Sequence, residues 1–115
     1  MKQSDKRFEV HFADQKLKDA FDTLAKGRGE EQEVYDMITR AIDKLEKDPF
    51  TGERVPKYLI PKYYIKKYGV DNLRKYDLSD SWRLIYTVVG TDVLIVSIIL
   101  EWMNHKDYER RFGYK

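Results

Sequence analysis

The run Val93 to Leu100 constrains this chain more than any other stretch. It is eight residues long, interrupted only by Ser97, and apolar at odd and even positions alike. A helix that crosses a bilayer needs about 20 such residues, so the run is too short to be a span. A strand that is apolar on both faces must be covered on both, which predicts a central strand rather than an edge. The remaining sequence has to supply its neighbours and the layers that bury it. A chain of 115 residues can build one such core, but it cannot also house a dinucleotide-binding fold and a substrate domain. One domain over residues 1–115 is expected.

The neighbours are legible from period. Phe8, Val10 and Phe12 alternate with Glu9 and His11, the signature of a half-buried first strand. Leu17, Ala20, Phe21, Leu24 and Ala25 then fall on one helical stripe, with Asp14 as N-cap and Gly27 and Gly29 as stops. A second stripe, Val34, Met37, Ile38, Ala41, Ile42 and Leu45, follows the acidic Glu30, Glu31 and Glu33 and ends before Pro49. Residues 49–72 hold all 3 prolines and no long clean period; Pro61 to Tyr68 reads as a short helix closed by Gly69. Leu73–Leu78 and Trp82–Val89 flank the turn Ser79–Asp80–Ser81, and Gly90–Thr91 leads into the apolar run. Asn104 to Arg111 reads as a short charged helix or extension. The fold class predicted is α+β: two N-terminal helices packed on one face of a mostly antiparallel four-stranded sheet, in the order β-α-α-β-β-β. The other face, or its rim, is left free to work.

Composition narrows the chemistry. The chain has 0 cysteines, which removes disulfide frameworks, thiolate zinc sites, iron–sulfur clusters and cysteine nucleophiles together. There is no phosphate-binding glycine loop and no H-E-x-x-H, and the two histidines, His11 and His105, are far apart, so neither a metal nor a cofactor is expected. The polar stretch Met1 to Arg7 leads into no apolar signal core, which points to the cytoplasm.

The net charge of +2 hides a polarity. Residues 1–53 hold 10 basic and 13 acidic side chains (−3), residues 54–76 hold 7 and 1 (+6), and residues 77–115 hold 5 and 6 (−1). The basic segment also holds Tyr58, Tyr63, Tyr64, Tyr68 and Tyr76. Cations neutralise phosphates and aromatic rings stack on bases, so the segment reads either as a nucleic-acid surface or as a solvated loop. If the loop between the two middle strands is even-numbered, Arg74 and Tyr76 share a face with Arg83, near Lys62, Lys66 and Lys67. A three-residue loop reverses that parity and separates them. Lys75 and Asp77 then lie on the apolar face in the first case.

A cation cluster of this kind suits metal-free phosphodiester cleavage. Attack by a 2′-hydroxyl needs a base, cations for the charge on the phosphorus oxygens and an acid for the leaving oxygen. Arginine meets two phosphate oxygens and stays protonated, while Lys67, lowered by like-charged neighbours, or His105 could move the proton. Arg83 reads equally as a cross-strand ion-pair partner, and Lys66, Lys67 and His105 as solvated surface.

The segment L-R-K-Y-D-L-S-D-S-W-R-L-I-Y-T-V at 73–88, the apolar last strand and N-H-K-D-Y at 104–108 resemble the RelE/ParE superfamily of type II toxin–antitoxin toxins. Trp82-Arg83-Leu84-Ile85-Tyr86 looks like its strand signature, and Asp48–Pro49 like its helix ending. The resemblance implies a small endoribonuclease that cuts mRNA, on the ribosome or free of it, and is silenced by a cognate antitoxin. Arg83 matches the strand arginine that contacts the scissile phosphate, and His105 with Tyr108 resembles the tail of HigB-type members. Lys106 stands where RelE-like members carry a second arginine. Lys62, Lys66 and Lys67 lie in a connector longer than the family's, in place of its active-site lysines. The catalytic set expected is Arg83, Arg74, His105, Tyr108 and Lys67, with RNA held by Lys62, Lys66, Lys75, Tyr76, Arg110 and Arg111. A non-catalytic, gyrase-poisoning ParE-type toxin and an RNA-binding module that has lost cleavage are the alternatives. No membrane or metal partner is expected.

Overall fold

The alternation in Phe8–Phe12 does form a strand, and the two stripes after it do form helices. The computed structural model describes residues 6–113, with β1 (Arg7–Phe12), α1 (Gln15–Leu24), α2 (Glu30–Lys47), β2 (Glu53–Arg54), α3 (Lys62–Tyr68), β3 (Arg74–Asp77), β4 (Trp82–Gly90), β5 (Leu94–Asn104) and α4 (His105–Phe112). A short 3-10 turn, Lys57–Leu59, precedes α3. The Asp14 side chain accepts from Leu17 N at 2.8 Å and caps α1 as expected. Glutamates at one end and Lys44 and Lys47 at the other complement the dipole of α2. Gly69 closes α3 at φ 65°, a conformation that any side chain would strain.

The α+β class holds. The sheet has five strands rather than four, in the order β1-β5-β4-β3-β2, and it is mixed: β1 runs parallel to β5 and the other pairs are antiparallel. The extra strand is the two-residue β2, which pairs Glu53 with Lys75 and Arg54 with Arg74. So short an element carries no period and could not be read from sequence. β5 lies between β1 and β4, an internal strand with both faces covered.

One face receives α1 and α2 through Phe21, Val34, Ile38, Ala41 and Leu45, which pack on Leu84, Tyr86 and Ile99. The other face is not left free. Tyr64, Tyr108 and Phe112 from α3 and α4 bury Leu73, Ile85, Leu100 and Met103 in a second core. The basic connector is therefore a structural layer as well as a charged one. Ser97, the interruption in the apolar run, is fully buried, and its hydroxyl has no hydrogen-bond partner among the described residues.

The turn between β3 and β4 decides which cations meet. Leu78 N donates to Trp82 O at 2.9 Å, which leaves residues 79–81 as a three-residue loop. The register then joins Arg74 to Tyr86 and Asp77 to Arg83. Arg74 and Tyr76 consequently share the α1/α2 face with Leu84 and Tyr86, whereas Lys75 and Asp77 share the opposite face with Arg83. The even-loop arrangement, with Arg74, Tyr76 and Arg83 together, is corrected.

Candidate functional site: a cleft around Arg83

The fully buried Tyr86 positions the rim of this cleft. Its hydroxyl donates to Pro49 O at 2.8 Å and accepts from Gly52 N at 2.9 Å, and burial raises its pKa. Arg74, its cross-strand neighbour, donates to Gly52 O at 2.6 Å and Phe50 O at 3.2 Å. A Cβ at Gly52 would lie 2.6 Å from the Tyr86 hydroxyl, so only glycine passes there. These contacts pin residues 49–52 to the sheet and deliver β2 to the edge of β3. Arg74 is thus a loop anchor on the far face from Arg83, not a catalytic neighbour of it.

Arg83, Lys75 and Tyr108 line a cleft of about 270 Å³ together with Glu53, Arg54, Val55 and Pro56. The Arg83 side chain is only 12% exposed. Its Nη1 donates to the carbonyls of Ser79 (2.9 Å), Asp80 (3.2 Å) and Trp82 (3.2 Å), so the guanidinium organises the β3–β4 turn. Its Nη2 lies 3.2 Å from His105 Nδ1. Its Nε is buried 3.2 Å from Asp77 Oδ1, an ion pair whose alignment does not make a hydrogen bond. The two residues that meet through Nη2 are 22 apart in sequence. The β4–β5 pairing brings them together, because Trp82 registers with Asn104, and His105 N donates to Ser81 O at 2.7 Å.

Arginine can only donate, so His105 Nδ1 is the acceptor in that contact and the ring proton sits on Nε2. Nε2 in turn lies 3.0 Å from Glu109 Oε2, one helical turn along α4. Asn104 caps α4 by accepting from Asp107 N at 2.8 Å, which fixes where His105 starts the helix. Tyr108 is buried beneath the cations: Arg83 Cζ is 5.7 Å and Lys75 Nζ 5.9 Å from its ring centroid.

Lys75 is only 16% exposed and touches two carboxylates, Glu53 Oε1 and Asp77 Oδ1, each at 3.0 Å. Burial by itself would lower its pKa, but the bonds to Glu53 and Asp77 outweigh that and the net shift is upward. Glu53, Asp77 and Glu109 are the site residues that sequence reasoning missed. The His105–Glu109 spacing was readable as an i,i+4 pair, whereas Glu53 depended on the unread β2.

The other expected residues lie outside this cleft. Lys67 Nζ donates to Tyr63 Oη at 3.2 Å and sits over the Tyr63 and Tyr68 rings. Those contacts, the Tyr63 bond first, shift its pKa up, the reverse of the lowered lysine expected of a base. Lys62 and Lys66 are exposed on α3. Tyr76 packs against the α1/α2 core. Arg110 pairs with Asp107 at 2.9 Å on the surface. Arg111 bonds both oxygens of Glu101 at 2.9 Å and lies 3.9 Å from the Tyr63 ring centroid, tying α4 to α3. Glu101 also accepts from the Tyr64 hydroxyl at 2.7 Å, and burial, then that carboxylate, push the Tyr64 pKa strongly up.

Among the described residues, no group of three or more acidic or histidine side chains is placed to hold a metal ion, and no helix is long and apolar enough to cross a membrane. No family model, curated protein or solved structure matches the chain.

Proposed function

We propose that this chain is a RelE/ParE-like toxin of a type II toxin–antitoxin system, and that it cleaves mRNA by metal-independent attack of a 2′-hydroxyl in the Arg83 cleft. The observation that carries the reading is the contact between Arg83 Nη2 and His105 Nδ1. It joins a charge-stabilising cation to a group able to take a proton, and it does so beside a second cation, Lys75. The order of the elements, with two helices after the first strand and three antiparallel strands before a terminal helix, supports the same reading.

The same contacts support a division of roles. The guanidinium of Arg83 carries the charge that develops on the phosphorus oxygens. When it turns from His105 to phosphate, Nδ1 is released to accept the 2′-hydroxyl proton, while Glu109 holds the ring through Nε2–H. Lys75, kept protonated by its carboxylate neighbours, supplies a proton to the leaving 5′-oxygen. The Tyr108 ring is the floor on which both cations lie. Arg74 and Lys67 have no part in the reaction, and Lys62 and Lys66, outside the cleft, give the RNA further exposed cations to rest on.

A second reading, an RNA-binding module without cleavage, is favoured by one feature: Glu53 and Asp77 neutralise the two cations that the reaction needs. Incubating purified protein and its His105→Ala variant with mRNA, with and without translating ribosomes, separates the two. Cleavage by the parent and loss of it in the variant is the expected result. RNA that is bound but left intact by the parent under both conditions selects the binding module, and absence of both, with supercoiling by gyrase impaired, selects a ParE-type target. The cognate antitoxin and a cytoplasmic location belong to the same proposal.

A further inference from the structure

The cleft's cations are already occupied by the protein's own anions, and the two carboxylates on Lys75 are not equivalent. Asp77 is fixed in β3, where it faces both Lys75 and Arg83. Glu53 belongs to the two-residue β2, and its side chain is 74% exposed while that of its partner Lys75 is 16% exposed. The Glu53 carboxylate therefore stands between Lys75 and solvent. An exposed carboxylate on a buried ammonium is a weak tie that still denies the position to any other anion. Arg83 has most of its donors committed to carbonyls and to His105, and its buried Nε lies 3.2 Å from Asp77 Oδ1.

A small anion that enters must displace Glu53 and gains only Lys75 and Arg83 in exchange. A polyanion gains more. The cleft wall at Pro56 runs directly into Lys57 and Tyr58, and Tyr58 is 85% exposed. Beyond them come Lys62 and Lys66, both exposed, and no acidic residue occurs from Val55 to Val70. Phosphates that extend from the cleft along this surface add contacts that no free phosphate can make.

We infer that Glu53 is an internal anion that closes the Lys75–Arg83 position to small anions and yields it to a polynucleotide. The inference rests on the functional reading above and adds to it the residue that bars free phosphate and mononucleotides from the site.

The test compares the parent with Glu53→Gln, using inorganic phosphate and a fully 2′-O-methylated oligoribonucleotide that cannot be cleaved. Binding is followed by the NMR signals of His105, and of Lys75 in the proteins that keep it. The parent is expected to bind the oligonucleotide and to bind phosphate poorly. Glu53→Gln, an exposed isosteric change, is expected to bind phosphate about three- to tenfold more tightly, with a smaller gain for the oligonucleotide. Adding Lys75→Met is expected to abolish the gain. Phosphate affinity that is unchanged or weaker in Glu53→Gln overturns the inference, as does a gain that survives Lys75→Met. If neither ligand perturbs these signals in any of the proteins, the functional reading itself falls, an outcome distinct from equal binding by parent and variant.

Discussion

Replacing Tyr86 with Phe removes one oxygen atom and should cost much more than a surface change. The ring is fully buried and stays, so no cavity opens. The lost hydroxyl leaves the Pro49 carbonyl without a donor and the Gly52 N–H without an acceptor, at sites now bridged at 2.8 and 2.9 Å. Each hydrogen bond contributes about 1 kcal/mol net, and each buried group left unpaired costs about 1–3 kcal/mol, so partial relaxation of residues 49–52 gives a loss of about 2–4 kcal/mol. For a domain of this size that lowers Tm by about 10–20 °C. Urea unfolding followed by circular dichroism, with the slope checked for constancy, measures it. The variant should also loosen β2, seen as faster amide exchange at Glu53 and Val55. A loss below about 0.5 kcal/mol would refute the claim that Tyr86 carries the rim of the cleft.

Three further outcomes follow from the same contacts. Ser97→Ala removes a buried hydroxyl without a partner and should stabilise the protein by about 1 kcal/mol; a loss of similar size in urea unfolding would show that the hydroxyl is paired. Arg83→Ala should lower stability by about 1–3 kcal/mol, because three turn carbonyls lose their donor, and should lower cleavage about 10²-fold in protein that is still folded; equal rates for parent and variant would remove Arg83 from the chemistry. The Lys75 pKa is raised on folding, so its pairing stabilises fully below the unfolded value of 10.5 and is lost as pH rises through the folded value. The stability difference between the parent and Lys75→Met should therefore be constant near neutrality and shrink above about pH 10.5; a difference that does not shrink in that alkaline range would refute the assignment.

Much of the fold was readable because its signals are local. The Asp14 cap, the acidic start of α2, Pro61 and Gly69 around α3, and the two-faced run of β5 each depend on residues within a turn or two of one another. What was not readable depends on counting or on distance. Whether Ser79–Asp80–Ser81 forms a three-residue loop cannot be told from its composition, yet it moves Arg74 from one face of the sheet to the other. The second helical layer was hidden because α3 and α4 are short, and their apolar anchors, Tyr64, Tyr108 and Phe112, are aromatic residues scattered among charges. The partners of the two cations divide in the same way. His105 was named from the sequence, but Glu53 reaches Lys75 only through a strand of two residues held in place by Tyr86.

The central claim is that Arg83, in its cleft, and the adjoining His105 cleave RNA through the RNA's own 2′-hydroxyl, with protein side chains moving the protons. Its most direct test is the chemistry of the ends produced from a defined mRNA in the presence of excess EDTA. Cleavage that persists in EDTA and leaves a 2′,3′-cyclic phosphate with a 5′-hydroxyl, and that is lost in His105→Ala, is the result this account predicts. Cleavage that EDTA abolishes, or that leaves a 5′-phosphate, would contradict it.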